Sequence, residues 1–230
     1  MFIDSIPKAF TCAGCMLTTW KSVCNSCKEN LQWNQEFLPS PVSEMEALAP
    51  LLFSYSRTQT LIRRFKENGG NDLKRALFRM PLPLKNRLME THFFAVVPIP
   101  QDLDRSYHRG HESARETAQY FAKQLSLPLF PALKLKSRKT KRLTGLMKVE
   151  REWAENQFVL ANPRELLGLK GYALLQEKMT QGKEIRILLV DDLITSGSTL
   201  AKAGDTLKEL YPNLKIWGAG IGFRPHRVSF

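Results

Sequence analysis

Several things are scarce or missing in this chain, and each absence narrows the function. No apolar run in its 230 residues approaches the ~20 residues that a membrane-spanning helix requires, so no such helix is expected in it. The first residues lack the basic-then-apolar layout of a secretory signal. Cysteine is rare: there are four, all within the first 27 residues, which leaves nothing to cross-link the rest of the chain. Together these features predict a soluble cytoplasmic protein in a reducing compartment, where clustered cysteines ligate metal more often than they form disulfides. No Walker lysine motif occurs, which argues against direct ATP hydrolysis. The four histidines, His92, His108, His111 and His226, show no metal-ligand spacing, so packing or solvent-facing roles are their default. There is no internal repeat and no low-complexity tract. Acidic residues are outnumbered, 22 against 34 Lys and Arg.

That imbalance gives a formal charge of +12 and a pI near 9.7. Such a surface suits a polyanion, either nucleic acid or an anionic membrane, although charge alone also serves solubility. Hydrophobic residues make up 43% of the chain, enough for a real core and against global disorder. The length allows one large domain with a small module attached.

The module is marked by Cys12, Cys15, Cys24 and Cys27, two C-x2-C knuckles separated by eight residues. Each knuckle brings two sulfurs to adjacent corners of one metal, and two knuckles complete a tetrahedron, as structural zinc requires. A rubredoxin-like iron site or a redox pair remains open. A thioredoxin-like role is disfavoured, because no strand precedes the first pair and no helix-forming run follows it. Gly14 eases the tight turn of the first knuckle. About 40 residues hold too little core to fold alone, so metal would supply much of the module's folding energy. Trp20 and Trp33 are candidates for stacking on bases, or for packing over the metal site. Pro39-Ser40-Pro41 marks the boundary, giving a module over 1–40 and a main domain over 41–230.

The most informative stretch is 188–200, LLVDDLITSGSTL. An apolar strand over 185–190 runs into Asp191 and Asp192. A loop of Thr195, Ser196, Gly197, Ser198 and Thr199 follows, and a helix begins near Leu200. Backbone N–H groups, hydroxyls and a helix N-terminus at one point favour a phosphate. The acids repel phosphate, but are placed to accept hydrogen bonds from sugar hydroxyls or to hold magnesium. Such a site suits a ribose 5-phosphate. The bland alternative is an ordinary strand-to-helix turn with Asp192 or Ser198 as its N-cap. The stretch resembles the phosphoribosyl pyrophosphate (PRPP) loop of type I phosphoribosyltransferases.

Around it the chain alternates strand and helix. Strands are expected over 51–55, 92–99, 129–135, 185–190 and 215–222, and helices over 59–66, 73–80, 113–125 and from about 200 to 210. Asp72 is a candidate cap for the helix over 73–80, with Pro81 and Pro83 ending it. This order implies an α/β fold, a twisted parallel sheet of the type I phosphoribosyltransferase kind with a four-cysteine zinc knuckle at its N-terminus. Its ligand site would lie beyond the strand C-termini. Gly218-Ala219-Gly220-Ile221-Gly222 lacks the spacing of a dinucleotide loop and reads as a strand with close backbone packing.

Read together, the segments resemble the ComF family of competence-associated phosphoribosyltransferase-like proteins, over nearly the whole chain. The knuckles match its zinc module. Phe53-Ser54-Tyr55 with Leu61-Ile62-Arg63-Arg64-Phe65-Lys66 matches its "Y…lI…fK" segment. Val97-Pro98-Ile99-Pro100, followed by Arg105 and His108-Arg109-Gly110, resembles its "PvP…R…RGfNq" signature. Leu143 to Gly145, Arg151 and Asn156 resemble its "L…R…N" stretch, and Gly182-Lys183 precedes the loop. Two departures stand out: Gly110 is followed by His111, Glu112 and Ser113 instead of an aromatic, Asn and Gln, and an insertion runs from about 163 to 181.

The resemblance implies a competence protein that helps single-stranded transforming DNA into the cytoplasm, with DNA-import machinery at the inner membrane as a possible partner. It implies a pocket for PRPP or a similar ligand with magnesium. Thr195, Ser196, Gly197, Ser198 and Thr199 would hold the phosphate there, and Asp191 and Asp192 would contact ribose hydroxyls. Both acids reach the sugar only if the chain already turns at Asp192, because adjacent side chains of a strand face opposite ways. Arg105 and Arg109 follow a strand end and are candidate pyrophosphate or DNA-phosphate contacts. The basic run over 134–151, with Arg138, Lys139, Lys141 and Arg142 at its centre, is a candidate nucleic-acid contact, a flap over pyrophosphate, or a solvated loop. Two other functions stay open: a true phosphoribosyltransferase acting on a nucleobase or related acceptor, and a zinc-dependent DNA-binding adaptor with a vestigial pocket.

Overall fold

The computed structural model describes residues 10–19, 23–43, 45–53, 56–101, 111–136, 157–167 and 171–224. Its centre is a six-stranded sheet built from β3 (Leu38–Pro39), β4 (Ala47–Phe53), β5 (Ala95–Pro98), β8 (Ile185–Val190), β9 (Leu193–Ile194) and β10 (Leu214–Phe223). The order across the sheet is β3-β4-β10-β8-β5, with β9 beside the end of β10. β3 is antiparallel to β4, and every other pairing is parallel. Parallel strands need cover on both faces, which is why β8 reads IRILLV with Arg186 as its one exposed residue.

One face carries Leu188, Val190, Ala219 and Ile221 and packs on α2 (Ser56–Asn68) and α5 (Ser113–Leu125) through Leu61, Ile62, Phe65, Ala118 and Phe121. The other carries Ile187, Leu189, Ile216, Ala95 and Val97 under α8 (Ser198–Leu210) and α7 (Tyr172–Thr180). α3 (Asn71–Leu77) and α4 (Leu82–Glu90) join the first of these layers, and α6 (Pro163–Leu166) and a β6–β7 ribbon (Leu133–Leu135 with Phe158–Leu160) join the second.

β10 is the longest of the described strands, and its glycines let neighbours come close. A Cβ on Gly218 would stand 2.7 Å from Leu48 and 2.9 Å from Leu200, and one on Gly220 would stand 3.1 Å from the Asp191 carbonyl oxygen. The sequence expectation of close backbone packing is thus met. The helix over 113–125 and the strand over 185–190 fall where the periodicity put them. The prolines mislead at one place. Pro83 opens α4 within its first turn, where a missing N–H costs nothing, so a helix begins where an end was expected.

The cysteine module consists of β1 (Phe10–Thr11), β2 (Thr18–Thr19) and α1 (Asn25–Glu29). Cys12, Ala13, Val23, Cys27 and Leu31 share a core with Leu61, Ile62 and Phe65 of α2. The following segment joins the sheet domain by backbone: Asn34 N–H donates to Leu51 O at 2.8 Å and Phe53 N–H to Gln32 O at 3.0 Å.

Candidate functional site

The four thiols converge. Their sulfurs all lie within 4.8 Å of one another, and none is in a disulfide. Tetrahedral zinc with ~2.3 Å bonds sets its sulfurs roughly 3.8 Å apart, and Cys15 and Cys24 are separated by 3.8 Å. The Gly14 and Cys24 N–H groups both donate to Cys12 Sγ, at 3.4 and 3.3 Å. Burial raises the Cys12 thiol, but donors from Cys24, Cys15 and Gly14 outweigh it and lower it to about 6. Burial, with the neighbouring sulfurs, pushes Cys27 far up instead. A thiolate supported by backbone N–H groups is what a metal knuckle requires, so this donor set fits a tetrahedral ion such as zinc. Gly14 is needed here: a Cβ would stand 2.7 Å from Cys27 Sγ.

The acid pair sits at the C-terminal end of β8, next to the centre of the sheet. Asp191 N–H donates to Ala219 O and Ile221 N–H to Asp192 O, both at 3.0 Å, so β10 holds the turn on one side. β9 then pairs with Gly222 and Phe223, and Gly197 takes φ +77 as the N-cap of α8. Neither Asp192 nor Ser198 caps that helix. Ser196 and Ser198 are hydroxyl partners at 3.0 Å, and Thr195, Ser198 and the half-buried Thr199 line the turn. The N–H groups of the first turn of a helix lack intrahelical acceptors. The five loop residues thus surround a helix N-terminus, as the sequence suggested.

The two acids have different surroundings. Asp192 is 1% exposed, and both of its oxygens are engaged. Lys66 Nζ donates to Oδ1 at 2.8 Å. Gln101 Nε2 donates to Oδ2 at 3.2 Å, and Ser113 Oγ makes a short bond to the same oxygen. Gln101 also donates to Ser113 Oγ at 2.9 Å. Asp191 is half-buried, and its Oδ1 accepts the Asp192 N–H at 2.8 Å. Burial raises the Asp191 carboxyl to about 7, the Asp192 charge adds to the rise, and Lys66 opposes it. The chain does not reverse here: β8 and β9 run parallel to β10 in one register, so the alternation of an extended chain puts one acid inward and leaves the other at the loop.

Lys66, Gln101 and Ser113 were not singled out for this site by sequence reasoning. Lys66 stands in the "fK" segment, where it is one of three cations within residues 63–66 of a helix and nothing local marks it out. Gln101 lies just past the end of β5, where the ligand edge of a parallel sheet is expected, and that position was a usable signal. Ser113 stands where the ComF pattern has Gln, and His111 where it has an aromatic. The His111 ring is buried, 5.4 Å from the Phe65 ring, and so fills an aromatic's place in packing. Arg105, Arg109, Arg138, Lys139, Lys141 and Arg142 lie outside the described residues.

A separate cavity of about 500 Å³ opens at the opposite end of the sheet, between Phe37, Arg87, Glu90, Arg186 and Trp217. Its charges largely pair off, Lys215 with Glu46 at 3.1 Å and Arg186 with Glu184 at 2.9 Å. A phosphate there would face three carboxylates, so the loop is the better anion site despite the cavity's size. No helix among the described residues is long and apolar enough to cross a membrane.

Comparison with curated proteins finds similarity to competence protein F of Haemophilus influenzae, 27% identical over 164 residues, or 69% of this chain. The match spans 65% of that protein's length, a little under two thirds. No family model matches the chain. The relative bears out the resemblance to the ComF family that the motifs carried.

Proposed function

We propose that the chain is a ComF-like competence protein that assists uptake of single-stranded transforming DNA and binds PRPP or a similar phosphoribosyl ligand through the 191–199 loop. The observation that carries this reading is the division of labour at the end of β8. One acid is clamped from three sides, while its neighbour stays half-buried beside a hydroxyl turn and a helix N-terminus. The loop residues 195–199 take the 5-phosphate, and Asp191 takes ribose hydroxyls. Magnesium arrives with the pyrophosphate and neutralises charge that Asp191 would otherwise repel. The four cysteines hold structural zinc. The name of the H. influenzae relative supports the competence role, and the +12 charge supports a polyanionic partner.

The test is calorimetry of PRPP with magnesium on the wild type and on Asp191→Asn, with single-stranded DNA titrated in parallel. Saturable PRPP binding that the variant loses is the expected result. Pyrophosphate release with a defined base would identify a transferase instead. Salt-sensitive DNA binding with no PRPP signal would mean that the pocket is an inherited scaffold, and would overturn the ligand reading.

A further inference from the structure

The ion pair between Lys66 and Asp192 joins residues 126 apart in sequence and, among the pairs of the described residues, is set apart by its buried carboxylate. Arg63–Glu67 and Arg75–Asp72 link neighbours on one helix, with every member well exposed. Asp192 is 1% exposed, and its lysine partner still reaches solvent at 38%. A carboxylate this buried must be paired and hydrogen-bonded to stay ionised. Among the described residues, Lys66 is the only cation within ion-pair distance of it. Ser113 and Gln101 complete the cage from α5 and from the end of β5.

The cage lies one peptide bond from Asp191. Asp192 O accepts the Ile221 N–H, its own N–H is held by Asp191 Oδ1, and β9 starts at the next residue. The direction in which Asp191 points is therefore fixed by what holds Asp192. We infer that Lys66 is a positioning residue for the phosphoribosyl site, acting from α2 through the Asp192 carboxylate and touching no ligand itself. This inference rests on the reading of the loop as a PRPP site. It assigns Asp192 to the support of the loop and leaves Asp191 as the carboxylate that meets the sugar.

Because the effect runs through Asp192, it should vanish when Asp192 can no longer be charged. PRPP affinity is measured by calorimetry with magnesium on the wild type, Lys66→Met, Lys66→Arg, Asp192→Asn and the double variant Lys66→Met/Asp192→Asn, with circular dichroism melts as the folding control. Lys66→Met should weaken PRPP roughly tenfold or more in the wild-type background, and less than about twofold in the Asp192→Asn background. Lys66→Arg keeps the charge and should recover most of the affinity, which a purely space-filling role would not predict. If Lys66→Met does not fold, Lys66→Arg and the double variant carry the comparison, since the double variant leaves no unpaired buried charge. Equal weakening in both backgrounds, or a folded Lys66→Met that binds as the wild type does, overturns the inference alone. A wild type that binds no PRPP overturns the reading beneath it, and this inference with it.

Discussion

The cysteine cluster and the acid turn are built in opposite ways. Cys12, Cys15, Cys24 and Cys27 come from sixteen consecutive positions, and two of the bonds that orient them are donated by the same short stretch. The acid turn draws on α2, α5, the end of β5, β8 and β10, elements spread from residue 66 to residue 221. The first is drawn together within one short stretch and closed by α2. The second exists only when the sheet and both helices of one face are in place. Helix α2 belongs to both, because Leu61, Ile62 and Phe65 close the cysteine core and Lys66 reaches Asp192 from the next position. A local site fails by losing its ion, and a non-local one by losing any of several elements.

Metal removal should break the comparison most forcefully. Structural zinc in isolated fingers carries apparent binding energies of about 10 kcal/mol or more, much of it folding energy. Chelation, or Cys24→Ser, should lower the thermal midpoint sharply and expose the shared core, read as a red shift of tryptophan emission from Trp33. PRPP affinity should fall with it, because α2 loses the cysteine core that packs on Leu61, Ile62 and Phe65. A chelated protein that melts unchanged would show that the cysteines hold no structural ion.

Asp192→Ala should come next. It leaves the Ser113 hydroxyl and the Gln101 amide without their acceptor, and Lys66 without its partner. Because Lys66 is 38% exposed and can turn to water, the expected loss is about 1–3 kcal/mol, below that of a fully buried pair. Urea unfolding measures it. Asp192→Asn should cost less, since an amide oxygen still accepts from Ser113 and Gln101. Equal losses for the two would mean that the bonds from Ser113 and Gln101 contribute nothing beyond the lost charge.

Asp191→Asn should weaken binding yet stabilise the fold, the reverse of its neighbour. The carboxyl is raised from 3.8 to about 7, largely by burial, so the native state holds a proton more tightly than the unfolded chain does. Stability contributed by that proton is complete below about 4 and is lost as pH rises through 7. The variant should therefore be more stable than the wild type at pH 8, by about 1–3 kcal/mol, with the gap closing toward pH 4. A constant gap across that range would place the ionisation elsewhere.

How much of this was legible follows from the same contrast. The clustering of the four cysteines was readable, because their spacing is local. The strand over 185–190 and the helix over 113–125 were readable too, because burial on both faces and a 3.6-residue stripe leave a direct trace. At the acid turn only Asp191, Asp192 and the loop could be found. Lys66 looks like any helix cation in sequence, and its partner lies 126 residues on. Ser113 looked like a departure from the family's pattern, although its hydroxyl makes a bond that a longer side chain could also reach. The helix at 82–90 was missed because a proline that ends one helix can also open the next.

The smallest expected effect separates two cations on one helix. Arg63 and Lys66 sit three residues apart on α2, and each pairs with a carboxylate at 2.9 and 2.8 Å. Distance alone would rank them as equals. Arg63 is exposed and Glu67 nearly half so, a setting in which water screens the attraction and two mobile side chains must be ordered to gain it. Arg63→Gln should therefore leave the urea midpoint and PRPP affinity where they are, while Lys66→Met moves both. If Arg63→Gln weakens PRPP as much as Lys66→Met, then the general positive charge of α2, and not the bond to Asp192, is what the loop depends on. Raising salt would then weaken PRPP binding through α2 in step, whereas a buried bond to Asp192 should respond far less, since counterions screen exposed charges first.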